Sequence, residues 1–83
     1  MSRAVIRAID ADCAVRNWDN SLEHAFPEEV ESWTRIRDRH LKRLRKALTQ
    51  ITREEFLRGR WCGTPMHERI AQWDCMIERA NEA

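Results

Sequence analysis

Side chains that could ligate a metal are few in this sequence, and their spacing is unfavourable. Cys62, His67 and Cys75 offer thiolate and imidazole groups, but the intervals between them match no zinc-finger or ribbon pattern. His67 and Glu68 open like the zinc-protease helix motif, yet Ala71 occupies the position where a second histidine is required. We therefore expect no metal site and no cofactor.

Nucleophilic catalysis has equally little support. The run Trp61-Cys62-Gly63 resembles the opening of a thioredoxin active site, but Pro65 stands where the second cysteine belongs and no βαβ frame is predicted. No serine is flanked by glycines as in the nucleophile elbow of hydrolases, and the sequence contains no Gly-rich phosphate-binding loop. We expect no catalytic residues and a protein that is not an enzyme.

The composition favours interaction over catalysis. The chain has 83 residues, enough for one domain whose stability is marginal without association or unusually good packing. Fifteen Lys and Arg nearly balance fourteen Asp and Glu, so the net charge of +1 predicts neither a DNA mimic nor a general polyanion binder. Thirteen of the basic residues are arginine and four residues are tryptophan, two types that are enriched at interface hot spots.

Cysteine usage and hydropathy indicate the compartment. The three cysteines form no close pair, and arginines interrupt the apolar run at the N-terminus, so no secretory signal is predicted. Charges recur every few residues, and no stretch is apolar over the length that a bilayer span needs. We expect a soluble cytoplasmic protein with no membrane partner.

Helix formers dominate the chain and only two Gly and two Pro interrupt them, which predicts an all-α protein. We expect one domain over residues 1–83, a small bundle of three to four helices around one long central helix. That long helix is predicted from Pro27 to Gln50, with acidic residues at its start and basic residues at its end.

A first helix is predicted before the long one, from about Arg3 to Val15. Asn17, Asp19 and Asn20 should break it, because short polar side chains compete for backbone hydrogen bonds. A single helical turn is then expected before Pro27. The predicted apolar face of the first helix consists of Val5, Ile6, Ile9 and Cys13.

A short third helix should follow the long one. Thr52 and Glu55 form a capping box, and Ile51 and Phe56 form the matching hydrophobic staple, so this helix is predicted over Arg53–Arg60.

The last helix is predicted to begin with Thr64 as N-cap and Pro65 as the first helical residue, and to end near Ala80. Its apolar residues are spaced as in a heptad seam, which predicts a homodimer. The residues of this predicted dimer interface are Met66, Ile70, Trp73 and Ile77.

The long helix has two distinct faces. Its predicted core face consists of Val30, Trp33, Leu41, Leu44, Leu48 and Ile51, with Ile36 and Ala47 at one edge. The opposite face carries a basic stripe of Arg35, Arg39, Lys42 and Lys46. This stripe is typical of a solvated surface, while binding of phosphates or of an acidic partner remains an alternative.

Arg37 interrupts the apolar face of the long helix. One interpretation is that its aliphatic stem carries the guanidinium out to solvent. The other is that Arg37 pairs with a carboxylate, such as Asp74 or Glu78, at a helix–helix or dimer interface, since an isolated buried guanidinium is costly.

A second functional hypothesis is a small helix-turn-helix transcriptional regulator with DNA as its partner. The stretch from Arg53 to Ala80 has the required outline of a short helix, a Gly-containing turn and a longer helix. However, the start of its second helix, with Met66, His67 and Glu68, is poorly suited to reading bases.

In size, in arginine and tryptophan content and in its lack of catalytic groups, the chain resembles small helical proteins that bacteriophages encode to inhibit host machinery or defences, including anti-CRISPR proteins. The resemblance implies a non-enzymatic inhibitor or regulator that docks on a host protein or complex. Four tryptophans exceed what one small core needs, and Trp33 and Trp73 lie on core stripes. The predicted protein-binding residues are Trp18, Arg37, Arg58, Arg60 and Trp61.

Overall fold

The computed structural model describes residues 2–59 and 63–82. Four helices make up its regular structure: α1 (Arg3–Leu22), α2 (Pro27–Leu48), α3 (Arg53–Arg58) and α4 (Met66–Ala80). The described residues contain no strand, which confirms the all-α prediction. None of these helices combines the length and the apolar character that a bilayer span requires.

The fold is built on a hairpin of α1 and α2, which pack against each other over most of their length. The contact is close because alanines occupy the centre of the buried face of α1, and the molecule is elongated, with extents of 43 × 23 × 20 Å. The buried apolar residues of the hairpin are Val5, Ala8, Ala11 and Val15 on α1, and Leu41, Leu44 and Ala47 on α2.

The two short helices cover one end of this hairpin. Thr52 caps α3 by accepting a hydrogen bond from the Glu55 amide at 3.1 Å, and the staple residues Ile51 and Phe56 are both buried in the core, as predicted. Met76 of α4 is fully buried beside them. The core is therefore concentrated where all four helices meet.

The predicted break in the first helix is wrong. α1 continues through Asn17, Asp19 and Asn20 to Leu22, and no separate helical turn precedes Pro27. The tertiary contacts of this segment outweigh the low helix propensity of its residues, because the Asp19 carboxylate binds Arg37 and neighbouring rings pack between α1 and α2.

Helix boundaries differ from the predictions by a few residues. α2 ends at Leu48 rather than Gln50, and α3 ends at Arg58. α4 begins at Met66, so Pro65 takes the extended N-cap position and Thr64 lies outside the helix.

The buried face of α1 is rotated from the predicted one. Val5 is buried as expected, but Ile6 is 46% exposed, and Ile9 and Cys13 are only partly buried. Small residues take their place because they allow α1 to approach α2 closely. On α2, Val30 was predicted to lie in the core and is instead 43% exposed.

Candidate functional site

The half of the hairpin nearest its turn has no buried core. No residue from 16 to 40 is fully buried, whereas both helices contribute several buried side chains on the other half. We call residues 17–36 the hairpin tip. Glu82, which follows α4, accepts a hydrogen bond from Arg37 of α2. The segment after α4 therefore contacts the hairpin at the border of the tip.

An apolar surface covers one side of the hairpin tip. Trp18 of α1 and Trp33 of α2 pack edge to face with ring centroids 5.8 Å apart. Phe26, Val30 and Trp33 are spaced by four and three residues and therefore share one face. Phe26 is 67% exposed and Val30 is 43% exposed, and Leu22 is partly buried. These five residues form what we call the tip patch.

The backbone at the start of α2 fixes the position of Phe26. Pro27 is the first helical residue, as predicted, and Phe26 is the N-cap in an extended conformation (φ −70°, ψ 151°). The Phe26 amide donates a hydrogen bond to the Glu29 carboxylate at 3.3 Å. The exposed ring is thus attached to a defined helix start rather than to an irregular loop.

The charge around the tip patch is mostly negative. The exposed carboxylates are those of Glu23, Glu28 and Glu31, next to the patch in sequence. The only Lys or Arg within the tip is Arg35, and its guanidinium is already bound to Glu31 at 2.7 Å. An apolar centre with an acidic border is therefore presented to solvent.

Arg37 lies between the tip and the core and is held within the chain. Its side chain is only 15% exposed, and it donates to Asp19 at 2.8 Å and to Glu82, so its partners are not Asp74 or Glu78. Burial acts to lower the pKa of Arg37, but the hydrogen bonds to Asp19 and Glu82 outweigh it and leave this pKa above its ordinary value. Arg37 thus joins α1, α2 and the end of the chain.

Two further arginines attach α4 to the hairpin. Arg45 of α2 donates to the carbonyl oxygens of Ala80, at 2.6 Å, and Glu82. Arg79 of α4 donates to the carboxylate of Asp12, which is 2% exposed. These contacts fix the orientation of α4, and the sequence analysis identified neither of them.

The predicted dimer seam is only partly available. Trp73 packs against Phe56 with ring centroids 5.3 Å apart, so this residue belongs to the core of its own chain. Met66 is 50% exposed, and Ile70 and Ile77 are partly buried. Fewer seam residues are therefore accessible to a second chain than the heptad spacing of α4 predicts.

The other predicted site residues are dispersed. Arg58 is exposed and lies 3.8 Å from Glu54, while Arg60 and Trp61 lie outside the described residues. All four residues of the basic stripe are exposed, as expected of a solvated face. Of the predicted protein-binding residues, only Trp18 belongs to the tip patch.

The helix-turn-helix hypothesis gains no supporting observation. Arg69, near the start of α4, donates to the carbonyl oxygens of Thr64 at 3.0 Å and Leu57 at 3.1 Å, so its guanidinium serves the packing of α4 on α3.

Metal binding also finds no geometric support in the part of the chain that is described. There, no three or more His, Cys, Asp or Glu side chains are grouped so that they could hold an ion. Of the proposed ligands, Cys62 lies outside the described residues, and Cys75 is a free, exposed thiol on α4.

Comparison with known proteins identified no matching family model, no similar curated protein and no similar solved structure. The fold and the site define a small all-α protein whose helical hairpin exposes an aromatic tip.

Sequence reasoning missed the two most exposed residues of the tip patch. Val30 was assigned to the core and Phe26 to a separate turn, although the spacing of Phe26, Val30 and Trp33 already places them on one face. The sequence did not show that this face stays exposed, with none of the other described helices covering Phe26 and Val30.

Proposed function

We propose that this chain is a non-enzymatic protein-binding module that inhibits or regulates a larger protein through its tip patch. The observation that carries the proposal is the exposure of Phe26 and Val30 beside the paired rings of Trp18 and Trp33. Clustered aromatic side chains of this kind are enriched at protein interfaces and act there as anchors.

The chemistry of the tip patch defines the partner surface. An apolar recess would take up the ring of Phe26, and a basic rim would complement the carboxylates of Glu23, Glu28 and Glu31. A host protein or complex is the proposed target, with an inhibitor of the anti-CRISPR type as the finer hypothesis. Arg58, Arg60 and Trp61 remain predicted secondary contacts.

A capture experiment tests the proposed function. Tagged wild-type protein, the tip variant F26S/V30S and the control I6S are incubated with nuclease-treated lysate of the source or host cell. Ile6 is an exposed large apolar side chain that belongs neither to the tip patch nor to the α4 seam, so the control removes apolar area elsewhere. A protein retained by wild type and control but lost with F26S/V30S supports the proposal. Equal retention by all three forms contradicts it.

We also propose self-association through the exposed part of the α4 seam. Met66, Ile70 and Ile77 would pack against the same residues of a second chain in an isologous contact, with Trp73 contributing less because Phe56 occupies one side of its ring. Light scattering should give about twice the chain mass of 10.0 kDa for wild type at micromolar concentrations and the monomer mass for M66S/I70S. A concentration-independent monomer mass for wild type contradicts the dimer.

A further inference from the structure

A cluster of cations lies on the half of the hairpin that is away from the tip. Arg7 of α1 lines a cleft of about 310 Å³ together with Arg43 and Lys46 of α2. Arg39 and Lys42 line a second cleft on α2 together with Arg35 and Asp38, and the carboxylate of Asp38 lies 3.5 Å from Arg37. Arg3 precedes Arg7 by one helical turn. We call these six residues the basic pole: Arg3, Arg7, Arg39, Lys42, Arg43 and Lys46.

Among the described residues, no carboxylate neutralises the basic pole through an ion pair. All six side chains are exposed, and none of them forms an ion pair within the described residues. Arg43 instead lies 2.9 Å from the Nδ1 atom of His40, a contact in which the imidazole accepts the hydrogen bond. Arg35, the remaining member of the basic stripe, is excluded from this definition because Glu31 holds it.

Only some of these six cations are placed where they stabilise their own helix. The cations on α2 that lie near its C-terminus complement the helix dipole. Arg3, by contrast, is the first residue of α1, where the dipole disfavours a cation, and the first turn of α1 carries no acidic residue. Repulsion between six neighbouring cations adds a further cost. The arrangement is therefore explained better by an anionic ligand than by folding.

The spacing of the pole suits an extended polyanion. Arg39 and Lys46 are separated by about 10 Å along α2 at 1.5 Å per residue, and the arginines of α1 extend the charged surface sideways. Duplex DNA presents about one phosphate charge per 1.7 Å of its axis. Several phosphates of a duplex can thus contact the pole at once, whereas a single small anion would contact only some of its cations.

No aromatic ring is among the described residues that line the two clefts. Proteins that bind single strands stack bases on aromatic side chains, and sequence readers place amide or guanidinium groups against base edges within a groove. The cations of the pole lie on the exposed surface of two packed helices, α1 and α2. This geometry favours contacts to the backbone of a duplex.

We propose that the basic pole binds the phosphate backbone of duplex nucleic acid without reading its sequence. The proposal is independent of the tip patch and of the helix-turn-helix hypothesis, because it uses α1 and α2 rather than α3 and α4. Affinity should lie in the range of non-specific binding, with Kd between about 1 and 100 μM near physiological salt.

Fluorescence anisotropy with a labelled mixed-sequence DNA duplex of about 20 base pairs tests this proposal. Wild type should bind with a slope of log affinity against log salt of about −4, because each neutralised phosphate contributes about −0.9. The variant R43Q/K46Q should bind at least about tenfold more weakly at 0.1 M salt, with the slope reduced by about 2. Circular dichroism confirms that each variant is folded.

The matched control is R16Q/R58Q, which removes the same number of charges from cations that already have carboxylate partners and that line neither cleft. It should retain wild-type affinity within about twofold at 0.1 M salt, where exposed charges are screened beyond about 10 Å. Equal losses in the two variants would mean that only net charge matters and would overturn the assignment. Tighter binding of a single strand, or displacement of the duplex by an equal charge of poly-glutamate, would also overturn it.

Discussion

Asp12 makes the buried ionic contact on which the attachment of α4 depends. Its carboxylate receives a hydrogen bond from Arg79, and Arg16 lies 3.5 Å from it on the exposed side. Removing one partner of a buried pair leaves the other charge without compensation, which typically costs about 3 kcal/mol or more. For a domain of this size that is a large part of the total stability.

We therefore predict that D12N lowers the free energy of unfolding by about 3 kcal/mol, measured by urea denaturation followed by tryptophan fluorescence. D10N is the control, because Asp10 is exposed on the same helix, and it should change stability by less than about 0.5 kcal/mol. The double variant D12L/R79M should regain most of the loss, since it removes both charges. A D12N protein as stable as D10N would show that the pair is not required.

His40 gives the stability of the hairpin a pH dependence. Burial lowers the pKa of His40 below its ordinary value of 6.5, and the nearby charges of Arg43 and Arg39 lower it further. The unfolded chain then binds a proton at a higher pH than the folded chain, so acidification favours unfolding. The stabilising contribution is complete above pH 6.5 and is lost as the pH falls towards the folded-state pKa.

H40N removes this titration, so its unfolding free energy should fall less steeply than that of wild type between about pH 7 and pH 5. Urea titrations at several pH values measure both curves. The carboxylates titrate equally in the two proteins, so their contribution cancels in the difference. Parallel curves for wild type and H40N would contradict the assignment of the shift to His40.

The ionic partners of single residues were the least predictable part of the molecule. The helical periodicity correctly placed Arg37 on the inner face of α2, and the interpretation that it is paired is confirmed. Its partners Asp19 and Glu82 could not be identified, because the path of the chain end over α2 depends on the tertiary packing. For Asp12, the only indication of an ionic partner was that an acidic residue lies among apolar neighbours on one face of α1.

At the scale of elements, the sequence was informative wherever a local signal fixes the backbone. Pro27 at the first position of α2 and the Thr52 cap of α3 were located correctly. The end of α1 was not, because interhelical contacts of Trp18 and Asp19 extend the helix through residues of low propensity. Exposure of the tip patch likewise depends on where α4 docks, which periodicity does not determine.

The cap of α3 provides a test at this scale. Thr52 satisfies the amide of Glu55, and α3 has only six residues to hold Phe56 in the core. We predict that T52A lowers the unfolding free energy by about 1 kcal/mol, whereas T52S, which keeps the hydroxyl, remains within about 0.5 kcal/mol of wild type. Thermal and urea unfolding measure the difference. Equal stability of T52A and T52S would show that the cap does not contribute.

The whole molecule is polarised along the hairpin. The tip carries the acidic border and the exposed aromatic ring of Phe26, while the basic pole covers the other half of the hairpin, from Arg39 to Lys46 on α2 and at Arg3 and Arg7 on α1. The net charge of +1 conceals this separation, which is why composition alone argued against a polyanion surface. The protein partner proposed for the tip patch and the duplex proposed for the basic pole would therefore contact different parts of the hairpin.

The separation of the tip from the basic pole predicts how the tip acids affect the pole. Along α2, at 1.5 Å per residue, Glu28 is about 16 Å from Arg39, the nearest pole residue on that helix, and about 27 Å from Lys46. The Debye length is about 8 Å at 0.15 M salt and about 30 Å at 0.01 M, so the tip carboxylates influence the pole only at low ionic strength. In the duplex-binding assay, E23Q/E28Q should therefore match wild type at 0.15 M salt. At 0.01 M salt the same variant should bind the duplex more tightly, because two repulsive charges are gone. A gain of equal size at both salt concentrations would mean that the duplex contacts the tip itself, and the tip and the pole would then not be separate binding surfaces.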